Sequence, residues 1–313
     1  MITYVMSAER DVFEASMDTK EQFRIGLDYY VGTSVRQSYA EALKWFGYAA
    51  EKDDPNALCL LGKMYAYGYG VDRSPKTAAG YLERAAEQDV PQAKYELGLL
   101  LQMGAVPGSG PERAASLWAS AAEEDYALAQ LGLALLYESG HGVPRNNRLA
   151  FEWAMRAAMH GLPAAQCKVG IAYLEGKGVA TSYPDAERWL RTAADNGDAR
   201  AVFELGWMRY FGLGCRKSSS ESKRLVDKAL DKGVYDVITR EAMSSDPYSQ
   251  LRLGWLYDMG WGVTQSCLKA LAWYSGARLM GLKDAEAFIE RMNARIGIDP
   301  ESDTSSHLYA SSD

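Results

Sequence analysis

Cysteine and histidine are scarce in this chain of 313 residues, which contains four cysteines and three histidines. Four cysteines are too few for a disulfide framework in a chain of this length. The histidines, His141, His160 and His307, are dispersed rather than clustered with cysteines or carboxylates at the spacing of metal ligands. We therefore expect no structural disulfide, no metal site, no cofactor and no histidine-activated nucleophile.

Long apolar runs are also lacking. No stretch of 18 apolar residues occurs, and the first 20 residues contain no basic segment followed by an apolar run. This predicts a cytoplasmic protein without a membrane span or a secretory signal. Basic residues are not in excess either, because 34 Lys and Arg stand against 41 Asp and Glu, a net charge of −7. That balance argues against nucleic acid as the ligand and favours a basic protein or peptide as the partner.

Motifs of nucleotide-dependent enzymes are absent as well. The glycine-rich segments GYGVDRSPK and GHGVPRNNR open no strand-to-helix phosphate cradle and recur instead as turns between helices. The sequence therefore predicts a protein that is not an enzyme. The alternative is a hydrolase or other enzyme whose catalytic residues come together across a groove of the fold.

Glycine, by contrast, recurs at a fixed period. Seven glycines share one register, with steps of 36 residues except for a last step that is 12 residues longer: Gly32, Gly68, Gly104, Gly140, Gly176, Gly212 and Gly260. A period of this size is typical of stacked supersecondary units.

Each period contains two helical patterns joined by a glycine turn, as residues 57–92 show around the turn GYGVDRS. A residue of the N-capping type precedes every second helix: Ser38, Ser74, Gly110, Asn146, Ser182, Ser218 and Ser266. A residue that tolerates the left-handed conformation follows every second helix: Asp53, Asp89, Asp125, Gly161, Gly197, Gly233 and Gly281. The sequence therefore predicts an all-α fold of helical hairpins.

The hairpin sequence also carries a family signature. The pattern A-x-x-x-L-G-x-x-Y-x-x-G-x-G-V, followed by A-x-x-W-x-x-x-A-A-x-x-G, is nearly complete in residues 165–197 and 249–281. It resembles the Sel1-like repeat, a branch of the tetratricopeptide-like α-solenoids. The resemblance implies a right-handed superhelix of helix pairs that acts as a bacterial scaffold or adaptor for protein–protein interaction. It also implies an alternative within the same class, an immunity protein that neutralises a secreted toxin.

This register divides the chain. We expect an N-terminal capping helix within 1–20, seven repeats over 21–284, a C-terminal capping helix over 285–297 and a disordered tail over 298–313. The repeats are expected to start at 21, 57, 93, 129, 165, 201 and 249, with an insertion at 234–245. The insertion, VYDVITREAMSS, either contributes to a binding edge or simply extends a helix or forms one extra turn.

One repeat departs from the pattern at its helix-terminal tyrosine. Arg209 stands where most repeats have tyrosine. The substitution either places a charge near the groove or shifts the register by one residue so that Tyr210 takes over, and we favour the shift.

The partner-binding surface is expected on the first helices, which line the concave face in tetratricopeptide-like stacks. Transfer of that geometry directs one position of each first helix toward the groove: Leu27, Lys63, Leu99, Leu135, Ile171, Trp207 and Trp255. Further candidates lie about one turn later: Tyr30, Val31, Tyr67, Met103, Tyr210, Phe211 and Met259. Large apolar side chains concentrate in the last two repeats, which gives the candidate binding residues Phe203, Trp207, Tyr210, Phe211, Trp255, Met259 and Trp261. The alternative is that these rings fill the seam between adjacent hairpins.

A secondary candidate surface is formed by residues in and beside the glycine turns, where the chemistry varies from repeat to repeat. It comprises Tyr67, Tyr69, His141 and Lys177. A variable residue between fixed glycines is expected of a side chain that is free to meet a partner, but ordinary loop variation gives the same pattern.

Overall fold

The computed structural model describes residues 13–106 and 110–297. Part of the predicted N-terminal capping helix, part of the third turn and the predicted tail lie outside the described residues. Over the described ranges the regular secondary structure is entirely helical. A helical turn at 13–16 is followed by sixteen helices: α1 Thr19–Val31, α2 Tyr39–Glu51, α3 Pro55–Tyr67, α4 Pro75–Ala86, α5 Pro91–Gln102, α6 Pro111–Glu123, α7 Ala127–Ser139, α8 Asn147–Met159, α9 Pro163–Glu175, α10 Tyr183–Asp195, α11 Ala199–Phe211, α12 Ser219–Leu230, α13 Val234–Met243, α14 Pro247–Met259, α15 Cys267–Leu279 and α16 Ala285–Ile296.

Local chemistry sets the helix ends. All seven residues predicted to precede a second helix are its N-cap. First helices use aspartate in the same way, as where Asp54 Oδ1 accepts from the Ala57 amide at 2.8 Å. All seven predicted stop residues have positive φ, including Asp53 at 61° and Gly281 at 93°. Five of the seven second-helix N-caps accept a backbone amide through their side chain, and Gly110 and Ser182 do not.

Each hairpin closes on a small residue in the middle of its first helix. In six of the seven hairpins that residue is glycine and faces a larger side chain of the second helix. A Cβ on Gly26 would lie 2.6 Å from the Phe46 ring, and one on Gly254 would lie 2.6 Å from Tyr274. The fourth hairpin has Ala134 at the equivalent position, and the second-helix residue there is also an alanine, Ala154; both are buried. The first-helix residue is therefore smallest where the second-helix side chain that it faces is large.

The chain forms two compact units, each with its own buried core. Unit 1 comprises Met1–Gln166 and Gly176–Ala180, and unit 2 comprises Cys167–Glu175 and Thr181–Asp313. Helix α9 contributes residues to both units. No described helix is long and apolar enough to cross a membrane.

The insertion forms a helix of its own, α13. It buries Val234, Ile238 and Ala242, and Ser245 ends it with φ of 66°. Gln250 donates to the carbonyl of Ala242 at 3.1 Å, just as Gln130 of an earlier repeat donates to Ala122 at 3.2 Å. The end of α13 thus takes the place that the end of a second helix has in other repeats, and the insertion is more than an extension of α12.

The favoured register shift at Arg209 is wrong. Ser218 donates its amide to the Arg209 carbonyl at 2.9 Å, as Ser74 does to Tyr65 in an ordinary repeat. The side chain of Arg209 pairs with Glu187 at 3.1 Å and Glu221 at 3.5 Å. Arginine therefore keeps the tyrosine position, because two carboxylates replace the packing of the ring.

Candidate binding surface

The aromatic side chains of unit 2 pack against one another. Trp255 is inaccessible to solvent, and its ring lies 5.1 Å from Trp207 and 5.0 Å from Trp261, both near edge to face. Phe203 is buried beside Trp255, with ring centroids 6.0 Å apart. The expectation that these four rings stand exposed in a groove is wrong, since they form the core between first helices.

The remaining candidates in unit 2 are half-buried. Tyr210 donates its hydroxyl to the sulfur of Met259 at 3.3 Å, and Phe211 packs 4.9 Å from Tyr210. The C-terminal helix α16 covers part of this cluster, because Phe288 lies 5.6 Å from Phe211 and 6.2 Å from Trp207. Most of these rings therefore fill the seam between adjacent hairpins, which was the alternative to a binding surface.

A buried ion pair lies beside these rings. The Arg252 guanidinium is 2.7 Å from Glu204 and 3.0 Å from Glu175, and it sits over the Trp207 ring at 5.4 Å from the centroid. Burial alone lowers the pKa of Arg252, but the charges of Glu204 and Glu175 outweigh burial and raise it. Arginine at this position is therefore held charged inside unit 2.

The variable turn residues also have partners. His141 Nδ1 lies 2.9 Å from Gln102 Oε1, and Lys177 Nζ lies 2.6 Å from Glu138. Each of these partners lies near the end of the first helix of the preceding repeat, 39 residues earlier. The expectation that the turn side chains are free is therefore wrong for His141 and Lys177.

The described apolar side chains that remain exposed on the first helices belong to unit 1. Apart from Leu128 at the start of α7, they occupy two equivalent positions one helical turn apart, and the turn residue Tyr69 lies beside them. We call this set the first-helix face of unit 1: Leu27, Val31, Tyr67, Tyr69, Met103 and Leu135. Tyr67 is 48% exposed and Met103 is 68% exposed, whereas the equivalent Phe211 and Met259 of unit 2 are half-buried.

Tyrosine rings form one end of this face. Tyr69 stacks on Tyr39 at 5.3 Å and on Tyr67 at 5.7 Å, with interplanar angles of 18° and 28°. Tyr30 meets Tyr69 edge-on at 6.4 Å. This arrangement presents partly exposed ring surface in a fixed geometry, which binds a partner at a low cost in side-chain entropy.

A buried carboxylate lies beneath the tyrosines. Glu96 accepts a hydrogen bond from the Tyr67 hydroxyl at 2.8 Å and lies 3.4 Å from Lys63 Nζ. Burial raises the pKa of Tyr67, and the hydrogen bond to Glu96 and its charge raise it further. Burial, followed by the charge of Glu96, also raises the pKa of Tyr126 to about 12. The negative charge of Glu96 thus raises the pKa of a tyrosine on helix α3 and of another at the start of α7.

Sequence reasoning missed Glu96. A single charge in an apolar helix has no local motif, and the signal that could have found it is its register, since Glu204 lies three periods later. Over residues 13–106 and 110–297 there is no group of three or more His, Cys, Asp and Glu side chains arranged to hold a metal ion.

Sequential packing of helical hairpins defines the class of protein as an α-solenoid. The family model of the Sel1 repeat matches seven times, over residues 22–54, 55–90, 91–126, 127–162, 163–198, 199–234 and 247–281. These matches cover most of the chain, which therefore belongs to the Sel1 repeat family. The resemblance and the all-α solenoid predicted from the hairpin sequence are confirmed.

Solved structures show the same fold. The chain is similar to a protective antigen of uropathogenic Escherichia coli strains with an SLR fold, at 27% identity and a TM-score of 0.64. That match covers 94% of this chain and 61% of the antigen, so the chain spans less than two thirds of the antigen's length. It is also similar to a Sel1 repeat protein from Oxalobacter formigenes, at 31% identity and a TM-score of 0.64, covering 69% of this chain and 88% of the other.

An immunity protein from Pseudomonas aeruginosa is more distant, at 22% identity and a TM-score of 0.43 over 65% of this chain and 74% of the other. A likeness this weak carries no argument about function. No curated protein matches the chain.

Proposed function

We propose that the protein is a non-catalytic interaction module that binds a segment of another protein along the first-helix face of unit 1. The observation that carries the proposal is the row of apolar first-helix side chains left exposed there, while the equivalent positions of unit 2 are filled or covered. Aromatic and apolar side chains grouped on a fixed surface supply most of the energy in protein interfaces.

Membership of the Sel1 repeat family supports this class of function, because Sel1 repeats generally mediate protein–protein interactions. The partner segment is expected to be extended, since the exposed side chains recur from one first helix to the next rather than forming one deep pocket. The net charge of −7 favours a basic partner. A toxin neutralised by an immunity protein is one partner of this kind, and its support is this charge alone.

A selection from a displayed library of random 12-residue peptides on the wild-type protein tests the proposal. The affinities of the selected peptides are then measured by fluorescence polarisation with Val31→Asp and Leu135→Asp. A carboxylate placed on the face should weaken binding by about tenfold or more, because it must be desolvated in the complex. Met159→Asp is the control, since Met159 is also apolar and exposed but lies at the end of second helix α8.

The control variant should bind the peptides within about twofold of wild type. Peptides whose affinities are unaffected by both Val31→Asp and Leu135→Asp would show that binding occurs elsewhere. Circular dichroism of each variant ensures that lost binding does not reflect lost structure.

A further inference from the structure

Helix α15, the second helix of the last repeat, has an exposed side without charge. Four of its residues follow the spacing i, i+4, i+7 and i+11, which places them on one side of a helix. We call them the outer face of α15: Leu268, Ala272, Ser275 and Leu279. The two leucines are 70% and 82% exposed, and the alanine between them is exposed as well. The opposite side of α15 lies in the core of unit 2, where it buries Ala270, Tyr274 and Ala277.

The other second helices carry charges at the equivalent positions. Each of α2, α4, α6, α8, α10 and α12 has two or three charged residues among these four positions, as α12 has Arg224, Asp227 and Asp231. Such charges keep the exposed side of a helix in water. The outer face of α15 therefore departs from the rule that the rest of the chain follows.

The end of the stack does not explain this exposed apolar face. The residues equivalent to Leu268 and Leu279 are exposed in all seven second helices, including those that have a repeat on each side. The flanking charges do not cover the face either, since Lys269 lies over the Tyr257 ring at 5.2 Å from the centroid and Arg278 pairs with Glu286. A helix that is apolar on both sides is typical of one that is buried on both sides. The outer face of α15 thus has the character of an interface with another chain.

The order of side sizes along this face is the same from either end. Leucine stands at both ends, and the small residues Ala272 and Ser275 stand at the centre. Where two helices cross, small residues at the crossing point allow the axes to approach to about 8 Å, and larger residues fill the space where the axes diverge. With a two-fold axis at the centre, Leu268 of one copy meets Leu279 of the other, and both copies make the same contacts. Residues near such an axis meet their own copies, so a charge there would repel itself.

We propose that the outer face of α15 binds the same face of a second copy of this chain, with the two α15 helices antiparallel about a two-fold axis. Antiparallel helices also place the partly positive N-terminus of one beside the partly negative C-terminus of the other. One helix face on each copy makes a small interface, below about 1,200 Å² in total, so the dimer forms at micromolar concentrations. The inference is independent of the proposed function, because α15 contributes no residue to the first-helix face of unit 1.

Sedimentation velocity of the full chain tests the dimer. Between about 1 and 200 µM the weight-average sedimentation coefficient of the wild type should rise from the value of a monomer toward that of a dimer. Leu279→Glu should raise the dissociation constant by about tenfold or more, because the carboxylate must be desolvated and enters the interface twice. Met159→Glu is the matched control, since Met159 has the same position in α8 and is 78% exposed. It should change the dissociation constant by less than about twofold.

A charge swap tests the antiparallel arrangement. Leu268→Lys alone should weaken the dimer as Leu279→Glu does, and it keeps the test decisive if Leu279→Glu does not fold. In the double variant each lysine meets the glutamate of the other copy, so the dimer should be about fivefold tighter than that of either single variant at low salt. The two positions are 11 residues and about 16 Å apart along one helix, so they cannot pair within a copy. The recovery should disappear in about 1 M salt, which screens the new ion pairs.

Three outcomes would overturn the proposal. The first is a wild-type protein that remains monomeric up to about 200 µM, which would leave the face to a different protein. The second is a dimer whose dissociation constant is unchanged by both Leu268→Lys and Leu279→Glu, which would place the contact elsewhere on the chain. The third is a double variant that dimerises no better than the single variants, which would exclude the antiparallel two-fold pairing.

Discussion

Lys177 Nζ lies 2.6 Å from Glu138 Oε1 and thereby joins the turn of one hairpin to the first helix of the hairpin before it. The same pair of positions holds His141 with Gln102 in the preceding repeat. In unit 2 it holds Trp261 with Tyr210, whose rings meet edge to face at 5.9 Å. The turn residues thus vary in chemistry together with the residue that each one contacts.

Reversing one charge of this pair should destabilise unit 1, and reversing both should restore it. We expect Lys177→Glu to lower the free energy of unfolding by about 1 kcal/mol, because both side chains are only about a quarter exposed and would then repel. The double variant Lys177→Glu with Glu138→Lys should recover most of that loss. Urea unfolding followed by circular dichroism measures both. A double variant no more stable than the single one would show that the pair contributes no specific interaction.

The small residue within each first helix gives a second prediction. A Cβ on Gly98 would overlap the indole nitrogen of Trp118, so Gly98→Ala should destabilise the protein by about 1–3 kcal/mol. Gly80 of α4 has open space around its Cα, so Gly80→Ala should instead stabilise by up to about 1 kcal/mol through helix propensity. Thermal unfolding midpoints compare the two. A stabilising Gly98→Ala would mean that the hairpin does not close on this glycine.

The sequence predicts the hairpins well because their ends depend on local chemistry. Asp54 caps α3 and Gly68 ends it through contacts within a few residues, and such contacts repeat with the sequence. Trp207 contacts instead Phe288, which lies on a helix more than 70 residues later. No local pattern reports what covers a side chain from that distance, so the surface of unit 2 was misjudged.

The candidate site was missed for a related reason. Glu96 and Glu204 occupy the same position, yet one has an internal arginine in the following repeat and the other has Gly132. That difference becomes meaningful only once the structure shows which positions meet across two repeats. Periodicity predicted where first helices lie but not which partner each of their charged side chains has, since Glu204 pairs with Arg252 whereas Glu96 pairs with Lys63 and Tyr67.

Thiol reactivity should divide the four cysteines into two pairs. Cys59 and Cys167 are buried, whereas Cys215 and Cys267 are half-exposed. Burial raises the pKa of the Cys59 thiol to about 12, so very little thiolate exists at pH 8 and reaction requires opening of the fold. With iodoacetamide at pH 8, mass spectrometry should detect modification of Cys215 and Cys267 well before that of Cys59 and Cys167. Early modification of Cys59 would contradict its burial.

Alkaline pH should destabilise the protein partly through Tyr126. Burial, with a further contribution from the charge of Glu96, raises the pKa of Tyr126 to about 12, against about 10 for an unfolded chain. Below pH 10 both states keep the proton; between pH 10 and 12 the unfolded chain releases it and the folded chain does not, so stability falls as pH rises. The thermal midpoint of Tyr126→Phe should therefore fall less steeply over pH 9–11 than that of wild type. Equal slopes would place the proton loss on other groups.

Phe288 should be essential for shielding the aromatic cluster of unit 2 from water. Its ring packs 5.1 Å from Tyr274 as well as against Phe211 and Trp207, so Phe288→Ala removes contacts with three rings at once. We expect a loss of about 3 kcal/mol and a red shift of tryptophan emission, because Trp207 then meets water. Leu279→Ala is the control, since Leu279 is 82% exposed and its removal should alter neither quantity. If Phe288→Ala left the emission unchanged, Trp207 would be shielded by its own neighbours alone, and α16 would be a cap on the solenoid rather than the cover of the cluster.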